Sequence, residues 1–268
     1  MKKISALLTR IERILACNWL NIPYTLYFNF RSMPFKQAIK CPVYVYGFPR
    51  FYNLSGKVIC LGKIKKGMVR INIQNCFYAG PENGSGQTEI CNQGTIIFRG
   101  EARFGCGSKF VVSPNATIDF GAHVWCNHNC LFNCFKKITI GEKTRMAHRV
   151  QIMDTNFHYN ANLTTRKVSN YLGTIEIAEK CWLANSCTIM KGTKLPKQTI
   201  IASHSLVNKD FSLLEAGSFI GGMPAKLITN NIFRIRNIEL EQDIIQFFKT
   251  NPNAQHFDLP DWVTIDNI

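Results

Sequence analysis

A period of six residues in the C-terminal half of the chain is its most constraining feature. Aliphatic side chains recur at every sixth position, in the series Ile177, Leu183, Ile189, Leu195, Ile201 and Val207. Four positions after each of the first five comes a small residue, in the series Cys181, Cys187, Thr193, Thr199 and Ser205. An α-helix requires a period of 3.6 and an ordinary strand a period of 2. The pattern therefore predicts a parallel β-helix, whose hexapeptides form triangular coils of about 18 residues with equivalent side chains stacked.

The same phase continues upstream with interruptions, and it predicts which side chains stack. The inward positions form the triplets Phe104, Phe110 and Ala116, then Phe120, Cys126 and Phe132, then Ile140, Met146 and Ile152. This register places Phe104 against Phe120. One outward row reads Lys109, Trp125, Arg145 and Trp182, which predicts cation–π contacts around Arg145. A second outward row reads Val112, His128, His148 and Asn185. Its two stacked histidines are interpreted as a polar wall of a cleft, as a pair of metal ligands, or as solvated surface.

The extent of the repeat divides the chain into three predicted regions. Residues 57–228 form the β-helix, with a long polar loop over residues 154–174 that is too long for a corner and is therefore a candidate functional loop. Residues 1–56 form a basic extension with an amphipathic helix over residues 2–20 and an aromatic-rich extended stretch. Residues 229–268 form a C-terminal helix, with Asn237 as its N-cap, and a tail.

The charge of the chain is concentrated at its N-terminal end. The formal net charge is +15. Residues 1–70 contain thirteen Lys and Arg residues and one acidic residue, Glu12, which predicts an anionic partner for this region. The candidate helix contains Arg10, Glu12 and Arg13 among its apolar residues, unlike a signal peptide or a membrane span. The cysteines form no CxxC pair, so we expect a cytoplasmic protein with reduced thiols.

Five motifs over residues 95–228 resemble the hexapeptide-repeat, left-handed β-helix acyltransferases, and most closely the galactoside, maltose and polysaccharide O-acetyltransferases. In family order they are GAHVWCNHN (121–129), ITIG (138–141), DTNFH (154–158), CWLAN (181–185) and GMPAK (222–226). The resemblance implies a left-handed helix, a homotrimer with active sites between subunits, acetyl-CoA as donor, and a sugar hydroxyl or amine as acceptor.

The resemblance also implies roles for individual residues. His158 matches the catalytic base, Asn127 an asparagine that contacts the acceptor, and Trp182 a tryptophan of the active-site wall. Four residues match positions that line the coenzyme cleft, namely Asn185, Ser203, Asn208 and Lys226.

The chemistry of acetyl transfer agrees with a histidine base. A sugar hydroxyl is a poor nucleophile at neutral pH, and a general base with a pKa near 7 accelerates its attack by roughly 10²–10⁴-fold. We expect His158 to take the hydroxyl proton and to return a proton to the CoA thiolate. Asp154 or a backbone carbonyl would hold the imidazole tautomer, although an ion pair between Asp154 and Lys191 is an alternative.

The expected function is acetyl-CoA-dependent O-acetylation of a sugar in a cell-surface polysaccharide intermediate. The alternatives are N-acetylation of an amino-sugar nucleotide or an antibiotic, and a non-catalytic β-helix scaffold. An acyltransferase of this kind has no use for nucleic acid, so we expect residues 1–70 to meet an anionic membrane surface at the inner face of the membrane, or a lipid-linked glycan.

Metal and thiol chemistry are not expected at this site. A zinc site like that of the γ-class carbonic anhydrases, which share the fold, requires three histidines, and no histidine precedes His123 to complete a set with His128. Cys130, Cys181 and Cys187 fall at the small inward corner position, where a cysteine acts as a compact apolar side chain.

Overall fold

The computed structural model describes residues 5, 7–9, 11, 19–74 and 86–268. Within this part of the chain, the strands of successive coils stack into three sheets, and these sheets form the faces of a triangular prism. The helix predicted over residues 2–20 lies mostly outside the described residues. Ser5, residues 7–9 and Ile11 are helical.

The strands follow one another around the three faces, and each pairs in parallel with the equivalent strand of the next coil. Face 1 contains β1 (Val43–Val45), β4 (Val69–Ile73), β7 (Ala102–Gly105), β10 (Val124–Cys126), β13 (Arg145–Met146), β18 (Trp182–Leu183), β21 (Ile200–Ile201), β23 (Phe219–Gly222) and β24 (Ala225–Thr229). Face 2 contains β2 (Arg50–Asn53), β5 (Glu89–Asn92), β8 (Lys109–Val112), β11 (Leu131–Cys134), β14 (Gln151–Met153), β19 (Thr188–Met190) and β22 (Leu206–Val207). Face 3 contains β3 (Lys57–Cys60), β6 (Thr95–Phe98), β9 (Thr117–Phe120), β12 (Lys137–Ile140), β17 (Ile175–Ile177) and β20 (Lys194–Leu195).

The C-terminal coils confirm the period of six. Ile177 aligns with Leu195 on face 3, and Leu183 aligns with Ile201 on face 1. All six aliphatic residues of the series are buried, and the five small residues that follow them have no exposed surface. The core is therefore a column of stacked aliphatic side chains closed at its corners by small ones, which is the hexapeptide β-helix that the sequence predicted.

The predicted register is confirmed from Phe120 onward, where Phe120, Ile140 and Ile177 align on face 3, but it is wrong by one face for the first triplet. Phe104 aligns with Cys126 on face 1, and Phe98 aligns with Phe120 on face 3. The coil from Ala102 to its partner Val124 takes 22 residues, whereas the step from Trp182 to Ile200 takes 18. The wider coils enclose five phenylalanine rings, Phe98, Phe104, Phe110, Phe120 and Phe132, whose successive centroids lie 5.0–6.4 Å apart. Longer coils thus accommodate larger core side chains.

The same shift corrects two outward positions. Lys109 lies beside Leu131 on face 2 and not beside Trp125, whose neighbour in the preceding coil is Arg103. Val112 is likewise absent from the row of His128, because the backbone of Gly105 lies against the His128 ring.

The N-terminal region forms a cap on the first coil. Helix α1 (Ile22–Ser32) starts after Asn21, whose side chain accepts a hydrogen bond from the Tyr24 N–H. The buried Asn29 amide donates to the carbonyl oxygen of Val43 and accepts from its N–H. In the short helix α2 (Phe35–Ala38), Gln37 makes the equivalent pair of bonds with Cys60. Side-chain amides thus satisfy edge backbone groups that would otherwise lack partners.

These observations change the predicted boundary at residue 57. The stacked strands begin at β1 and β2, and α1 packs on β1, so part of the region predicted as an extension belongs to the β-helix. Residues 22–32 are helical where an extended stretch was predicted.

The C-terminal end of the stack is closed by antiparallel pairing of β24 with β23. Helix α3 (Ile238–Thr250) follows, and its N-cap is Asn237 as predicted, since the Asn237 side chain accepts from the Leu240 N–H. No helix in the described part of the chain is long and apolar enough to cross a membrane.

Candidate active site

A cleft of about 440 Å³ runs along face 1 and its corner with face 2. It brings together three of the predicted site residues, Asn127, Trp182 and Asn185, from three successive coils. The remaining lining residues are Trp125, Arg145, Met146, Ala147, His148 and Arg234. The predicted acceptor-contacting asparagine, the wall tryptophan and one coenzyme-cleft residue therefore share one surface.

The stacking of coils fixes the positions of the corner residues. Cys126, Met146 and Leu183 align on face 1, so the corner residues that follow them also stack. The Arg149 N–H donates to the carbonyl oxygen of His128, and the Ser186 N–H donates to that of His148. The predicted row of His128, His148 and Asn185 is thus present, and His148 belongs to the cleft wall.

Arginine and tryptophan side chains alternate along the outer surface of face 1. The Trp125 ring lies between two guanidinium groups, with Cζ of Arg103 at 4.4 Å and Cζ of Arg145 at 4.0 Å from ring centroids. Cζ of Arg234 lies 6.0 Å from the Trp182 ring. The predicted cation–π contact of Arg145 is confirmed for Trp125, whereas the cation recorded over Trp182 is Arg234.

The cleft is strongly electropositive. Burial, together with the positive charges of Arg236, Arg234 and Arg103, lowers the pKa of Arg145 to about 10. Burial and Arg234 have the same effect on the pKa of Arg236, also to about 10. Arg236 donates to the carbonyl oxygens of Lys143 and Lys180, at 2.9 and 2.7 Å, which holds the segment before α3 against the coils.

His128 is buried beneath this surface. Its burial lowers the pKa of the imidazole, and neighbouring His148 acts in the same direction. The lowered pKa favours the neutral form of the His128 ring. In the described ranges, no group of three or more His, Cys, Asp or Glu side chains is arranged to hold a metal ion.

Asp154 lies at the base of the loop over residues 154–174, and its carboxylate is fully buried. It accepts hydrogen bonds from the backbone N–H groups of Phe135, Lys136 and Lys137 at 2.7–2.8 Å. Burial raises the pKa of the Asp154 carboxyl, and the three N–H groups oppose that rise. The carboxylate thus ties the loop to the corner of the preceding coil.

His158 lies beyond this anchor and is exposed. The loop leaves face 2 after β14 and returns to face 3 at β17, and it includes the antiparallel hairpin of β15 (Asn160–Asn162) and β16 (Lys167–Ser169). His158 is therefore carried at the corner between faces 2 and 3. The cleft lies on face 1 and the corner between faces 1 and 2, so one chain places the two sets at different corners.

The other predicted coenzyme residues lie in the last coils. Ser203 and Asn208 follow β21 and β22, and Lys226 lies in β24; all three are exposed and none lines the cleft. Ser203 lies in the row of Asn185 at the corner of faces 1 and 2, and Lys226 lies on face 1, whereas Asn208 lies at the corner of faces 2 and 3.

The three corner cysteines are buried as predicted. Cys130, Cys181 and Cys187 have no exposed surface, and burial raises the pKa of both Cys181 and Cys187 to about 12. Such thiols are protonated at neutral pH and are poor nucleophiles. None of the three forms a disulfide.

Sequence reasoning missed Arg103 and Arg234 as site residues. Arg103 could have been found from the correct coil length, which brings it under Trp125. Arg234 lies after the last repeat, where no periodicity indicates its position.

Comparison with known proteins gives one relative by sequence. No family model matches the chain. The chain is 25% identical over 147 residues to WbbJ of Escherichia coli (strain K12), named as a lipopolysaccharide biosynthesis O-acetyl transferase. The alignment covers 52% of this chain and 74% of that protein. The predicted resemblance is confirmed.

Solved structures with a similar fold include two acetyltransferases. The polySia-specific acetyltransferase NeuO has a TM-score of 0.46 and 19% identity, over 79% of this chain and 99% of its own. The hexapeptide-repeat acetyltransferase VCA0836 from Vibrio cholerae O1 biovar eltor, solved with acetyl-coenzyme A, has a TM-score of 0.35 and 22% identity, over 42% of this chain and 60% of its own.

Proposed function

We propose that the chain transfers an acetyl group from acetyl-CoA to a sugar hydroxyl of a cell-surface polysaccharide intermediate. The observation that carries the proposal is the single cleft that gathers Asn127, Trp182 and Asn185. Its amide side chains supply hydrogen-bond donors and acceptors for a sugar, and its indole supplies an apolar wall. The similarity to WbbJ supports the reaction class and the glycan acceptor.

The donor is assigned to the C-terminal coils. Asn185 lines the cleft, and the exposed Ser203 and Lys226 lie beyond it toward the C-terminal coils, while the exposed Asn208 lies at the corner of faces 2 and 3. Acetyl-CoA would lie along this surface with its thioester beside Trp182. Backbone N–H groups and the Asn127 amide are the available donors to the oxyanion that forms on the thioester carbonyl.

His158 is the proposed general base. The imidazole removes the proton of the sugar hydroxyl as its oxygen attacks the thioester carbon. The carbon–sulfur bond then breaks, and the imidazolium returns the proton to the CoA thiolate. Because His158 and the cleft lie at different corners of one chain, the site is completed by His158 of a second copy in a homotrimer.

Asp154 is assigned a supporting role in this reaction. Both of its carboxylate oxygens accept backbone hydrogen bonds from the preceding coil. It therefore fixes the base of the loop and positions His158 through the backbone.

Thiol release from acetyl-CoA with cell-envelope glycans as acceptors tests the function. We expect activity in the wild type, loss of roughly 10²–10⁴-fold in His158→Ala, and no loss in the matched control His256→Ala. Equal rates for His158→Ala and wild type would overturn the base assignment. Acetyl-CoA binding without transfer to any hydroxyl but with transfer to amino sugars would favour N-acetylation, and no CoA binding would favour a scaffold.

Mixing two inactive variants tests the shared site. His158→Ala and Asn127→Ala each remove one half of the site, whereas a mixed trimer contains interfaces with both residues intact. We expect partial recovery of activity after joint refolding or coexpression. A mixture that stays as inactive as its components would contradict a site built from two copies.

We also propose that the N-terminal region contacts an anionic membrane surface. Residues 19–74 contain nine Lys and Arg residues and no Asp or Glu. Helices α1 and α2 expose large apolar side chains, with Ile22 60%, Phe30 48%, Phe35 71% and Ile39 55% exposed. Basic charge beside exposed aromatic and aliphatic side chains is typical of interfacial binding.

Sedimentation with vesicles tests this contact. We expect binding to vesicles that contain anionic phospholipid and much weaker binding to neutral ones. Phe35→Ser should weaken binding to anionic vesicles, while Phe257→Ser in the C-terminal tail should not. Equal partition of the wild type into both kinds of vesicle would refute the proposal.

A further inference from the structure

The cleft continues toward the N-terminal coils as a second cleft of about 250 Å³. The two clefts share Trp125 and Asn127. The second is lined by Arg70 and Arg103 together with Ile73, Gln74, Gly105, Cys126 and His128. Four arginines, Arg70, Arg103, Arg145 and Arg234, thus line one continuous surface, and no acidic side chain is among its described lining residues.

The arginines are close neighbours in register. Arg70 aligns with Arg103 on adjacent strands of face 1, and Arg103 aligns with Trp125. Adjacent strands lie about 4.8 Å apart, and like charges at such positions repel one another. The ring of Trp125 separates Arg103 from Arg145, but no such ring separates Arg70 from Arg103.

Several cations elsewhere on the β-helix have an acidic partner. Arg99 pairs with Asp119 at 2.7 Å on face 3, and Lys109 pairs with Glu89 at 3.1 Å on face 2. Toward the corner of faces 3 and 1, a separate cleft beside Arg145 and Arg236 includes Asp266. Among the described residues, the end of the surface formed by Arg70 and Arg103 lacks such a counter-charge, and a bound anion would reduce the repulsion between these two guanidinium groups.

We propose that the acceptor is an acidic saccharide whose carboxylate or phosphate groups are bound by Arg70 and Arg103. The inference rests on the proposed function, because that function decides which end of the surface binds the donor and which end binds the acceptor. The donor residues run from Asn185 toward the C-terminal coils, and the transfer point lies beside Asn127 and Trp182. The remaining direction, toward Arg70 and Arg103, is left for the acceptor.

The chemistry of the guanidinium group fits this ligand. Its planar set of N–H donors matches carboxylate and phosphate oxygens in a bidentate geometry. Stacking on Trp125 holds Arg103 in a fixed orientation, so that less side-chain freedom is lost on binding. Gln74 and Asn127 supply neutral hydrogen-bonding groups for the hydroxyls of the same saccharide.

Calorimetry in a His158→Ala background tests binding separately from catalysis. The probes are a hexamer of galacturonic acid, a singly phosphorylated maltohexaose and neutral maltohexaose. We expect at least one acidic probe to bind ~10-fold or more tightly than the neutral one. Comparison of the two acidic probes then distinguishes recognition of carboxylate from recognition of phosphate. Arg70→Ala, which makes no ring contact with Trp125, should weaken that binding ~10- to 100-fold, and Arg103→Lys should have a smaller effect.

The controls separate this inference from the proposed function. Lys249→Ala, in the last turn of α3, should not change the affinity for the acidic probe, and Arg70→Ala should not change the affinity for acetyl-CoA. Equal binding of acidic and neutral probes, or no binding of either acidic probe, would overturn the acidic acceptor even if thiol release depends on His158. Loss of acetyl-CoA affinity in Arg70→Ala would instead assign the arginines to the donor phosphates and also overturn it. Failure of the proposed function would show as absent thiol release, which this binding assay does not measure.

Discussion

Replacing Asp154 by asparagine separates two roles that this residue has been assigned. If its carboxylate only anchors the loop, Asp154→Asn lowers stability and leaves the titration of His158 unchanged. If it also orients the imidazole, the pH profile of the reaction shifts. The structure favours the first result, because three backbone N–H groups occupy the carboxylate.

The size of the effect follows from the hydrogen bonds. An asparagine carbonyl in the place of Oδ2 still accepts from the N–H groups of Lys136 and Lys137, but its NH₂ group then faces the N–H of Phe135. One buried backbone donor is left without a partner, which costs about 1–3 kcal/mol. Asp154→Ala leaves all three donors without partners and should be considerably more destabilising.

The pH dependence gives a second measure of the same variant. Since burial raises the folded-state pKa of Asp154 above its ordinary value of 3.8, the folded protein binds this proton more tightly than the unfolded chain. Protonation of Asp154 therefore favours folding, and this contribution is fully present below pH 3.8 and is lost as the pH rises through the folded-state pKa. Over that range the wild type should lose stability relative to Asp154→Asn, down to the difference of about 1–3 kcal/mol that the hydrogen bonds to the ionised carboxylate leave at neutral pH.

Urea unfolding followed by circular dichroism, together with the pH dependence of kcat/KM, would measure both effects. Asp119→Asn, which also alters a hydrogen-bonded carboxylate, here on face 3, is a control for general destabilisation. A shift of the acidic limb of the kcat/KM profile with unchanged unfolding free energy would refute the reasoning and restore a direct role for Asp154 at His158.

Three further substitutions test the packing of the β-helix, each by urea unfolding. Asn29→Leu leaves the N–H and carbonyl of Val43 without their side-chain partner and should cost about 2–6 kcal/mol; a loss below that range would contradict the cap. Trp125→Leu removes two cation–π contacts and should cost about 1–2 kcal/mol, with a larger stabilisation by added salt than in the wild type because Arg103 and Arg145 lose their spacer. Phe120→Ala empties part of the aromatic core and should cost about 3–5 kcal/mol, so a cost near that of an exposed Phe35→Ala would disprove its buried position.

The fold was predictable where coil length is constant. Between Ile177 and Val207 each turn of the prism takes 18 residues, so a period of six gives the register directly. Between Ala102 and Val124 the coil is longer, because phenylalanine side chains fill a wider interior. A spacing rule then assigns residues such as Phe104 to the wrong face, although it still identifies them as core.

The N-terminal cap shows a different reason why the sequence did not predict the structure. Asn21 followed by Pro23 is a recognisable helix start, but the aromatic residues around it suggested an extended segment. What decides the structure is the fit of Asn29 against the edge of β1, which is a tertiary interaction. Local propensity contains no information on it.

The positions of those candidate site residues that lie within the hexapeptide repeats could be predicted from the sequence. Trp182 lies on face 1, and Asn127 and Asn185 lie at the corner that follows it. The stacking of coils alone brings the three residues together. His158 depends on a loop and on a second copy, and Arg234 depends on the path of the chain after the last repeat. Neither position follows from the hexapeptide period.

The caps on the two ends of the β-helix also determine how long the solenoid can become. Each coil offers its successor an unpaired edge, and nothing in the repeat itself specifies a last coil. Here the amides of Asn29 and Gln37 occupy the first edges of faces 1 and 3, and antiparallel β24 covers the last edge of face 1. A chain trimmed of α1, α2 and β24 would present matching open edges at both ends, and molecules would then join end to end as filaments.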